Sequence, residues 1–284
     1  MALEHVKAVI RPSGLDQAWE EKQKLGRQAR FLGGGVDLAV FAPSSIEALI
    51  DLRDLGLSTI AFDEGEMIIG ATATMAEIME SPEAGRCGGG LLVDVLRQVA
   101  SPLQRNIATF GGTLGSAHPW SDVIPALLVL DARIGVFDGA ARVVSTEEYL
   151  AGRRERMAPL VTSVRIPSEP ALGASFITFG RSAFDVGILN CACAVAQEED
   201  RLKRVRIAVG GTPALARRLK RTEQAIEGSS LDSIPFTEID PTVADEIDVR
   251  DDRRASAAYR RTLACVAVRR GIQKAVERMN GGRT

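Results

Sequence analysis

Two glycine-rich segments about eighty residues apart constrain this chain more than any other feature. The first is Gly33 to Leu38 (GGGVDL) and the second is Thr109 to Leu114 (TFGGTL). Each lies between a short apolar stretch and an apolar run typical of a helix. Glycine permits positive φ and lets backbone N–H groups come close to a ligand. Two such loops that converge on one anion would surround a pyrophosphate, so the pair predicts a dinucleotide cofactor.

Neither loop matches the common nucleotide-binding motifs. No G-x-G-x-x-G lies between a strand and a helix with an acidic residue about twenty residues further on, so the Rossmann pattern is absent. Neither loop ends in Gly-Lys-Ser/Thr, which disfavours a nucleotide triphosphate site of the Walker type. Since a single Gly-Gly turn is usually only a turn, the prediction depends on the pair. The sequence therefore indicates dinucleotide binding by another fold.

Length and composition are those of a globular enzyme component. The 284 residues are 45% hydrophobic, which is enough for one large core or two to three modest ones. The net charge of −2 gives no general attraction to nucleic acid or to an anionic membrane. No run of about eighteen apolar residues occurs, and Met1 to His5 lacks the apolar core of a signal peptide. We expect a cytoplasmic protein with no membrane insertion and no nucleic-acid partner.

The four cysteines are predicted to be structural. Cys87, Cys191, Cys193 and Cys265 form neither paired C-x-x-C ligands nor a four-cysteine cluster run. Cys191 and Cys193 are two residues apart, so on a strand they would lie on one face. We expect buried thiols and no iron–sulfur centre on this chain.

Local patterns predict the elements that surround the loops. Ser13 with Asp16 has the spacing of a helix capping box. Thr74 with Glu77 repeats that spacing. The run Arg217 to Arg221 is predicted to be the solvated face of a helix. We predict helices at Gly90 to Ala100, Asp122 to Leu130, Ala216 to Ile226 and Ser256 to Met279, a hairpin at Asp138-Gly139, and strands at Val6 to Ile10, Val161 to Ile166, Ser175 to Phe179, Ala192 to Ala196 and Val205 to Val209.

The second loop belongs to a longer stretch that resembles a known family. From Arg105 to Leu128 the chain reads RNIATFGGTLGSAHPWSDVIPALL. This is similar to the R-N-x-A-T-I-G-G-N-L-x-x-A-x-P-x-x-D-x-x-P-A-L-L of the FAD-binding medium subunit, or middle domain, of molybdenum hydroxylases such as xanthine dehydrogenase and carbon monoxide dehydrogenase. The first loop resembles the A-G-G-T-D-L of the same family. The order and spacing of the two motifs make the resemblance specific.

Further similarities extend the resemblance over nearly the whole chain, and three positions depart from it. The similar segments are Ile68 to Thr74, Gly180 to Asp185, Ala208 to Pro213 and Ser256 to Arg261. Val36 replaces the usual Thr, Thr113 replaces the usual Asn, and Thr178 stands where a Lys is common. A hydrogen bond to a charged group contributes about 1.5–3 kcal/mol, so losing one or two would weaken FAD binding without abolishing a site held by the backbone.

The resemblance implies an α+β fold. Its first part would be a two-lobed FAD-binding domain of the PCMH/vanillyl-alcohol-oxidase type, with lobe 1 at 1–55 and lobe 2 at 56–168. Residues 169–284 would form the C-terminal medium-subunit flavoprotein domain, a sheet covered by helices.

The resemblance also implies cofactor-binding roles, and no catalytic or metal-ligating residue is predicted. Asp37 would cap a helix or bond within its loop rather than face phosphate, because like charges repel. Ser116 would supply a hydroxyl to the diphosphate or ribityl region. Asp122 would either bond a ribityl hydroxyl or cap the helix that follows. The candidate FAD-binding residues are Gly33, Gly34, Gly35, Val36, Asp37, Leu38, Thr109, Gly111, Gly112, Thr113, Ser116 and Asp122.

Two aromatic residues beside Asp122 have open roles. His118 is either a proton relay, a substrate contact or a loop hydrogen-bonder. Trp120 either stacks on the flavin or packs against a partner chain.

The implied function is electron transfer within a multi-subunit molybdenum hydroxylase. A partner molybdopterin-binding large subunit would oxidise an organic substrate, and a partner [2Fe–2S] small subunit would pass the electrons to this FAD. The FAD would reduce an external electron acceptor, and the assembly would be a dimer of heterotrimers. Two alternatives remain open: a free-standing flavin-dependent oxidoreductase, and a scaffold subunit that has lost FAD. The substrate and the acceptor are not indicated.

Overall fold

The computed structural model describes residues 3–152, 158–169, 172–182, 185–231 and 233–281. Helices and strands are both abundant, as the α+β prediction requires. The strands are β1 (Ala8–Ile10), β2 (Ala29–Leu32), β3 (Ala48–Asp51), β4 (Ile60–Asp63), β5 (Glu66–Gly70), β6 (Arg133–Phe137), β7 (Ala141–Ser145), β8 (Leu160–Pro167), β9 (Gly173–Phe179), β10 (Leu189–Glu198), β11 (Arg201–Gly210) and β12 (Arg217–Arg218). The helices are α1 (Leu15–Leu25), α2 (Val36–Phe41), α3 (Met75–Glu80), α4 (Pro82–Arg86), α5 (Leu91–Leu96), α6 (Pro102–Arg105), α7 (Phe110–Ser116), α8 (Val123–Val129), α9 (Thr146–Gly152), α10 (Lys220–Ile226), α11 (Phe236–Glu246) and α12 (Ala257–Met279).

The chain divides into two compact units. Unit 1 consists of the chain up to Glu83 together with Ala100–Ser116 and Ala132–Ile166. Unit 2 consists of Ala84–Val99, Ala117–Asp131 and the chain from Pro167 onward.

Unit 1 contains a parallel sheet that presents the first glycine-rich loop. Its strand order is β1-β3-β2, and every residue of the central strand β3 is buried. Strand β2 runs directly into the loop at Gly33, which is followed by α2. A five-stranded sheet in the order β4-β5-β8-β6-β7 completes the unit, and β6 and β7 form the predicted hairpin. One apolar core of this unit consists of Ala18, Trp19, Ala29, Ala48, Ile50, Leu52, Phe137 and Leu160.

Of the two predicted capping boxes, one is confirmed and one is wrong. Thr74 Oγ1 accepts from the N–H of Glu77 at 3.2 Å, and the Glu77 carboxylate accepts from the N–H of Thr74 at 2.7 Å. Helix α1 instead begins after Gly14, which makes no side-chain cap. The N–H and hydroxyl of Ser13 donate to Gln17 Oε1 at 2.8 and 3.0 Å, because the amide one position further along reaches Ser13.

Unit 2 is built on an antiparallel sheet in the order β12-β11-β10-β9, with α12 packed against β9 and β10. Cys191 and Cys193 point to the same face of β10, as predicted, and their Sγ atoms are 3.7 Å apart. Both are fully buried. A Cβ on Gly271 of α12 would lie 2.6 Å from Cys193 Sγ, so this glycine allows helix and sheet to pack closely.

The prediction of a solvated helix face at Arg217 to Arg221 is wrong. Arg217 and Arg218 form β12 and pair with β11, Leu219 is fully buried, and α10 begins only at Lys220. The reason is tertiary: β11 pairs with Arg217 and Arg218, and the N–H of Leu219 donates to the carbonyl of Ile207 in β11 at 2.9 Å.

Helix α12 begins at the motif that resembles S-x-x-Y-R-R. The hydroxyl of Ser256 accepts from the N–H of Tyr259 at 3.2 Å and caps the helix. Arg260 is 1% exposed and donates to three carbonyl oxygens and to Asp252, so it joins the helix start to two preceding loops. Within the described ranges, no helix combines the length and the apolar character that a membrane span requires.

Candidate functional site

The two glycine-rich loops lie against each other within unit 1. The N–H of Gly34 donates to Thr109 Oγ1 at 3.4 Å, and the N–H of Gly112 donates to the same oxygen at 3.2 Å. Thr109 is buried between them, with 6% of its surface exposed. One threonine hydroxyl therefore joins loops that are 75 residues apart in the chain.

The glycines are required for this contact. A Cβ on Gly34 would lie 1.5 Å from the carbonyl oxygen of Ile107, and one on Gly33 would lie 2.3 Å from Thr109 Oγ1. In the second loop, a Cβ on Gly111 would lie 2.6 Å from Ala71 Cβ. Gly35 has a φ of +74°, a conformation that favours glycine. A side chain at Gly34 would require the backbone to move, and one at Gly33 or Gly111 would displace neighbouring atoms.

The backbone donors of the two loops differ in availability. In the second loop, the N–H groups of Phe110, Gly111 and Thr113 donate to carbonyl oxygens of the protein at 2.8–3.1 Å. In the first loop, the N–H groups of Gly33, Gly35 and Val36 have no acceptor in the part of the chain that the structure describes. The first loop therefore presents three available backbone donors at this junction.

A second side-chain contact joins the two loops. The hydroxyl of Ser116, in the last turn of α7, donates to the carboxylate of Asp37, in the first turn of α2. The two residues are 79 positions apart. The carboxylate of Asp37 thus bonds to the end of α7, and this bond occupies the Ser116 hydroxyl. The remaining predicted residues of this region are Val36 and Leu38 in α2, and Thr113 in α7, whose hydroxyl donates to the carbonyl of Thr109 at 3.3 Å.

Asp122 belongs to unit 2 and makes a contact that sequence patterns did not predict. It precedes α8 but makes no cap to that helix, so the capping alternative is wrong. Its φ and ψ of −77° and −25° are already helical, which is not the extended conformation of a capping residue. Its Oδ1 instead accepts from Asn190 Nδ2 at 2.6 Å. Burial raises the pKa of Asp122 to about 6, and the Asn190 hydrogen bond opposes that rise.

The rings of His118 and Trp120 stack on each other. Their centroids are 4.4 Å apart with an interplanar angle of 7°. Between them, the carbonyl of Pro119 accepts from the N–H of Gly211 at 3.1 Å. The loop before Asp122 is therefore held by ring stacking and by the turn after β11. Among the described residues, no group of His, Cys, Asp and Glu is arranged to hold a metal ion.

Comparison with known proteins gives matches along most of the chain. Residues 4–169 match the model of the FAD binding domain in molybdopterin dehydrogenase, and residues 174–275 match that of the CO dehydrogenase flavoprotein C-terminal domain. The protein YgfM of Escherichia coli (strain K12) is 29% identical over 93% of this chain and 94% of its own length. The carbon monoxide dehydrogenase medium chain of Afipia carboxidovorans is 28% identical over 94% of this chain and 96% of its own length.

A solved structure has the same fold. Carbon monoxide dehydrogenase from Hydrogenophaga pseudoflava contains a chain that matches with a TM-score of 0.88 at 22% identity, over 96% of this chain and 98% of that chain. This likeness confirms the predicted fold class, an α+β FAD-binding domain followed by a C-terminal sheet-and-helix domain.

Proposed function

This chain belongs to the family of FAD-binding subunits of molybdopterin dehydrogenases, and from that premise we propose that it is the electron-transfer subunit of a multi-subunit molybdenum hydroxylase. FAD is its cofactor. In this proposal a partner molybdopterin subunit oxidises an organic substrate, and a partner [2Fe–2S] subunit passes the electrons to this chain. The electrons then leave to an external acceptor. The complex is a dimer of heterotrimers in the cytoplasm.

The observation that carries the proposal is the junction of the two glycine-rich loops. It offers three backbone N–H donors without an acceptor among the described residues, at Gly33, Gly35 and Val36. It also lacks Cβ atoms at the three glycines where the backbone must come closest. A diphosphate is an anion with several acceptor oxygens, so these donors fit the pyrophosphate of FAD. When bound, FAD supplies the redox chemistry, and the protein supplies binding and orientation.

The side chains of the junction hold these donors in place. Thr109 accepts from both loops, and the bond from Ser116 to Asp37 joins α7 to α2. In this proposal Asp37 therefore acts on the loops rather than on the phosphate. The carboxylate of Asp122, in unit 2, is proposed to accept a hydrogen bond from a ribityl hydroxyl.

The relatives support a subunit over the two alternatives. The Afipia protein is named a medium chain, and its alignment with this chain runs over nearly the full length of both. The match to an FAD-binding model disfavours a scaffold without cofactor. A medium chain belongs to an assembly, which disfavours a free-standing flavoenzyme.

The test is the absorbance spectrum of the natively purified protein, with co-purifying chains identified by mass spectrometry. We expect oxidised-flavin bands together with molybdopterin and iron–sulfur partner chains. Protein that is yellow and turns over a substrate without partners would instead be a free-standing flavoenzyme. Colourless protein that assembles with partners but takes up no added FAD would be a scaffold.

A further inference from the structure

Asn190 is a buried amide in the apolar part of strand β10. It is fully buried in β10, where its Cα is paired with Thr178 on one side and Gly210 on the other. Its chain neighbours Leu189 and Cys191 are also fully buried. A buried amide destabilises a fold unless its groups find hydrogen-bond partners, so its presence here requires a reason.

The amide has partners on one side only. Its Nδ2 donates to the carbonyl of Ser121 at 3.3 Å and to Asp122 Oδ1 at 2.6 Å. Its Oδ1 is buried and has no hydrogen-bond partner among the described residues. A Cβ on Gly210 would lie 2.6 Å from this Oδ1, so the neighbouring strand leaves room for the amide. Asn190 Oδ1 is thus an unsatisfied acceptor within the sheet, whereas Asn190 Nδ2 donates to Ser121 and Asp122.

The carboxylate that Asn190 holds has one oxygen left over. Asp122 Oδ1 accepts from Asn190, whereas Oδ2 has no hydrogen-bond partner within the described residues. Oδ2 is also not among the side-chain oxygens that are sealed from solvent. The N–H of Gly211 holds the same loop through Pro119. Asp122 is therefore fixed at one oxygen and accessible at the other.

We propose that Asn190 is the positioning residue of the Asp122 carboxylate: it fixes Oδ1 so that Oδ2 accepts a hydrogen bond from a ribityl hydroxyl of FAD. This inference depends on the proposed function, because it takes Asp122 as a ligand of FAD. Asn190 contributes through Asp122 and does not itself contact the cofactor.

The test measures FAD affinity of the purified full chain, with any partner subunits it retains, by flavin fluorescence titration from pH 5 to pH 8. Burial and the Asn190 amide are the two influences on the pKa of Asp122, about 6, and no charged side chain of the described residues contributes. Wild-type affinity should therefore fall as the pH drops through about 6. Asn190→Leu should lower affinity for FAD at pH 8 roughly tenfold, about 1.4 kcal/mol. It should also move the midpoint, the pH at which half of the pH-dependent affinity is lost, to a higher value.

Three further variants make the result specific. Asp122→Asn should lose affinity without a pH midpoint, and the double variant should be no weaker than Asp122→Asn alone. Asn190→Asp keeps the shape of the side chain and places a second carboxyl at the Asp122 carboxylate, so its midpoint should also rise. Ser175→Ala is the matched control, because Ser175 is equally buried in the same sheet and donates to Gly271 rather than to Asp122. It should keep the wild-type affinity and midpoint.

Two results separate the failure of this inference from that of the proposed function. Wild-type affinity and midpoint in both Asn190 variants, or additive losses in the double variant, would overturn the role of Asn190 and leave FAD binding intact. A wild-type chain that binds no FAD at any pH would overturn the proposed function, and the inference with it.

Discussion

The hydroxyl of Thr109 accepts a hydrogen bond from the N–H of Gly34 at 3.4 Å, and this contact joins the two glycine-rich loops of unit 1. The same oxygen accepts from Gly112 at 3.2 Å. A hydroxyl oxygen has two lone pairs, so both donors are satisfied by one side chain. Loss of that oxygen would leave the N–H groups of both loops without this acceptor.

Thr109→Val should weaken the junction, because it removes the acceptor of two N–H groups and keeps the shape. We expect a loss of about 1–3 kcal/mol in the free energy of unfolding, and weaker FAD binding. Thr109→Ser keeps the oxygen and should cost less than about 1 kcal/mol. Urea unfolding of the FAD-free protein and FAD titration measure both effects. Equal behaviour of the two variants would show that the hydroxyl does not hold the loops.

Gly34→Ala should separate the loops, because its Cβ would lie 1.5 Å from the carbonyl oxygen of Ile107. We expect at least a tenfold loss of FAD affinity and about 1–3 kcal/mol of destabilisation. Gly115→Ala is the matched control in α7, since a Cβ there meets nothing within 4 Å. Alanine is the better helix former, so this control should be as stable as the wild type or more so. FAD retention by Gly34→Ala after gel filtration would contradict the prediction.

Asp122→Asn should stabilise the FAD-free protein at neutral pH. The pKa of Asp122 in the folded protein is about 6, against the ordinary 3.8, so the folded state binds the proton more tightly than the unfolded state. Stability therefore falls as the pH rises from about 4 to 6, by up to roughly 3 kcal/mol. The variant should have a larger free energy of unfolding than the wild type at pH 7 and an equal one below about pH 4. Urea unfolding at several pH values tests this prediction. A difference in unfolding free energy between variant and wild type that does not change with pH would refute it.

Lys22→Met should reveal the opposite dependence at alkaline pH. Lys22 is 6% exposed and donates to the carbonyls of Gly26 and Ala29 at 2.6 and 2.8 Å. Burial, and secondarily Arg30, lower its pKa from 10.5 to about 8. Between these values the unfolded state binds more protons, so the stability of the wild type relative to the variant should rise with pH.

Lys24→Met provides the control for this measurement. Lys24 is on the same helix, but its side chain is 72% exposed and pairs only loosely with Glu21 at 3.7 Å. Exposed pairs of this kind contribute little to stability. Its unfolding free energy relative to the wild type should stay flat between pH 8 and 10. If the stability of the wild type relative to both variants rose equally with pH, the effect would not come from burial of Lys22.

Features that depend on neighbouring residues were predictable. The Thr74–Glu77 capping box, the hairpin at Asp138-Gly139 and the shared face of Cys191 and Cys193 all follow from short spacings. The Ser13–Asp16 box is wrong because Gln17, one position further along the chain, accepts from Ser13 instead. Local sequence spacing allows several hydrogen-bond partners, and the geometry of the turn determines which of them forms the bond.

Some features were missed because their cause lies elsewhere in the fold. The two-residue strand β12 forms from a charged run that predicts a helix, because β11 and Glu223 provide partners for it. Asn190 gave no signal of a site, and only its burial beside Asp122, 68 residues away in the chain, shows what its amide does. A polar residue within the apolar run LNCACAV was the one available hint.

The sequence by itself determined that this chain carries two glycine loops in the order and spacing of an FAD-binding family, since glycine content and helix and strand periods are properties of local sequence. Only the tertiary structure decided which atoms meet: Thr109 with Gly34, Ser116 with Asp37, and Asn190 with Asp122. The physical reason is that a hydrogen bond requires two groups within about 3.5 Å. Over 68 to 79 residues of chain, only the packing of strands and helices brings such groups that close.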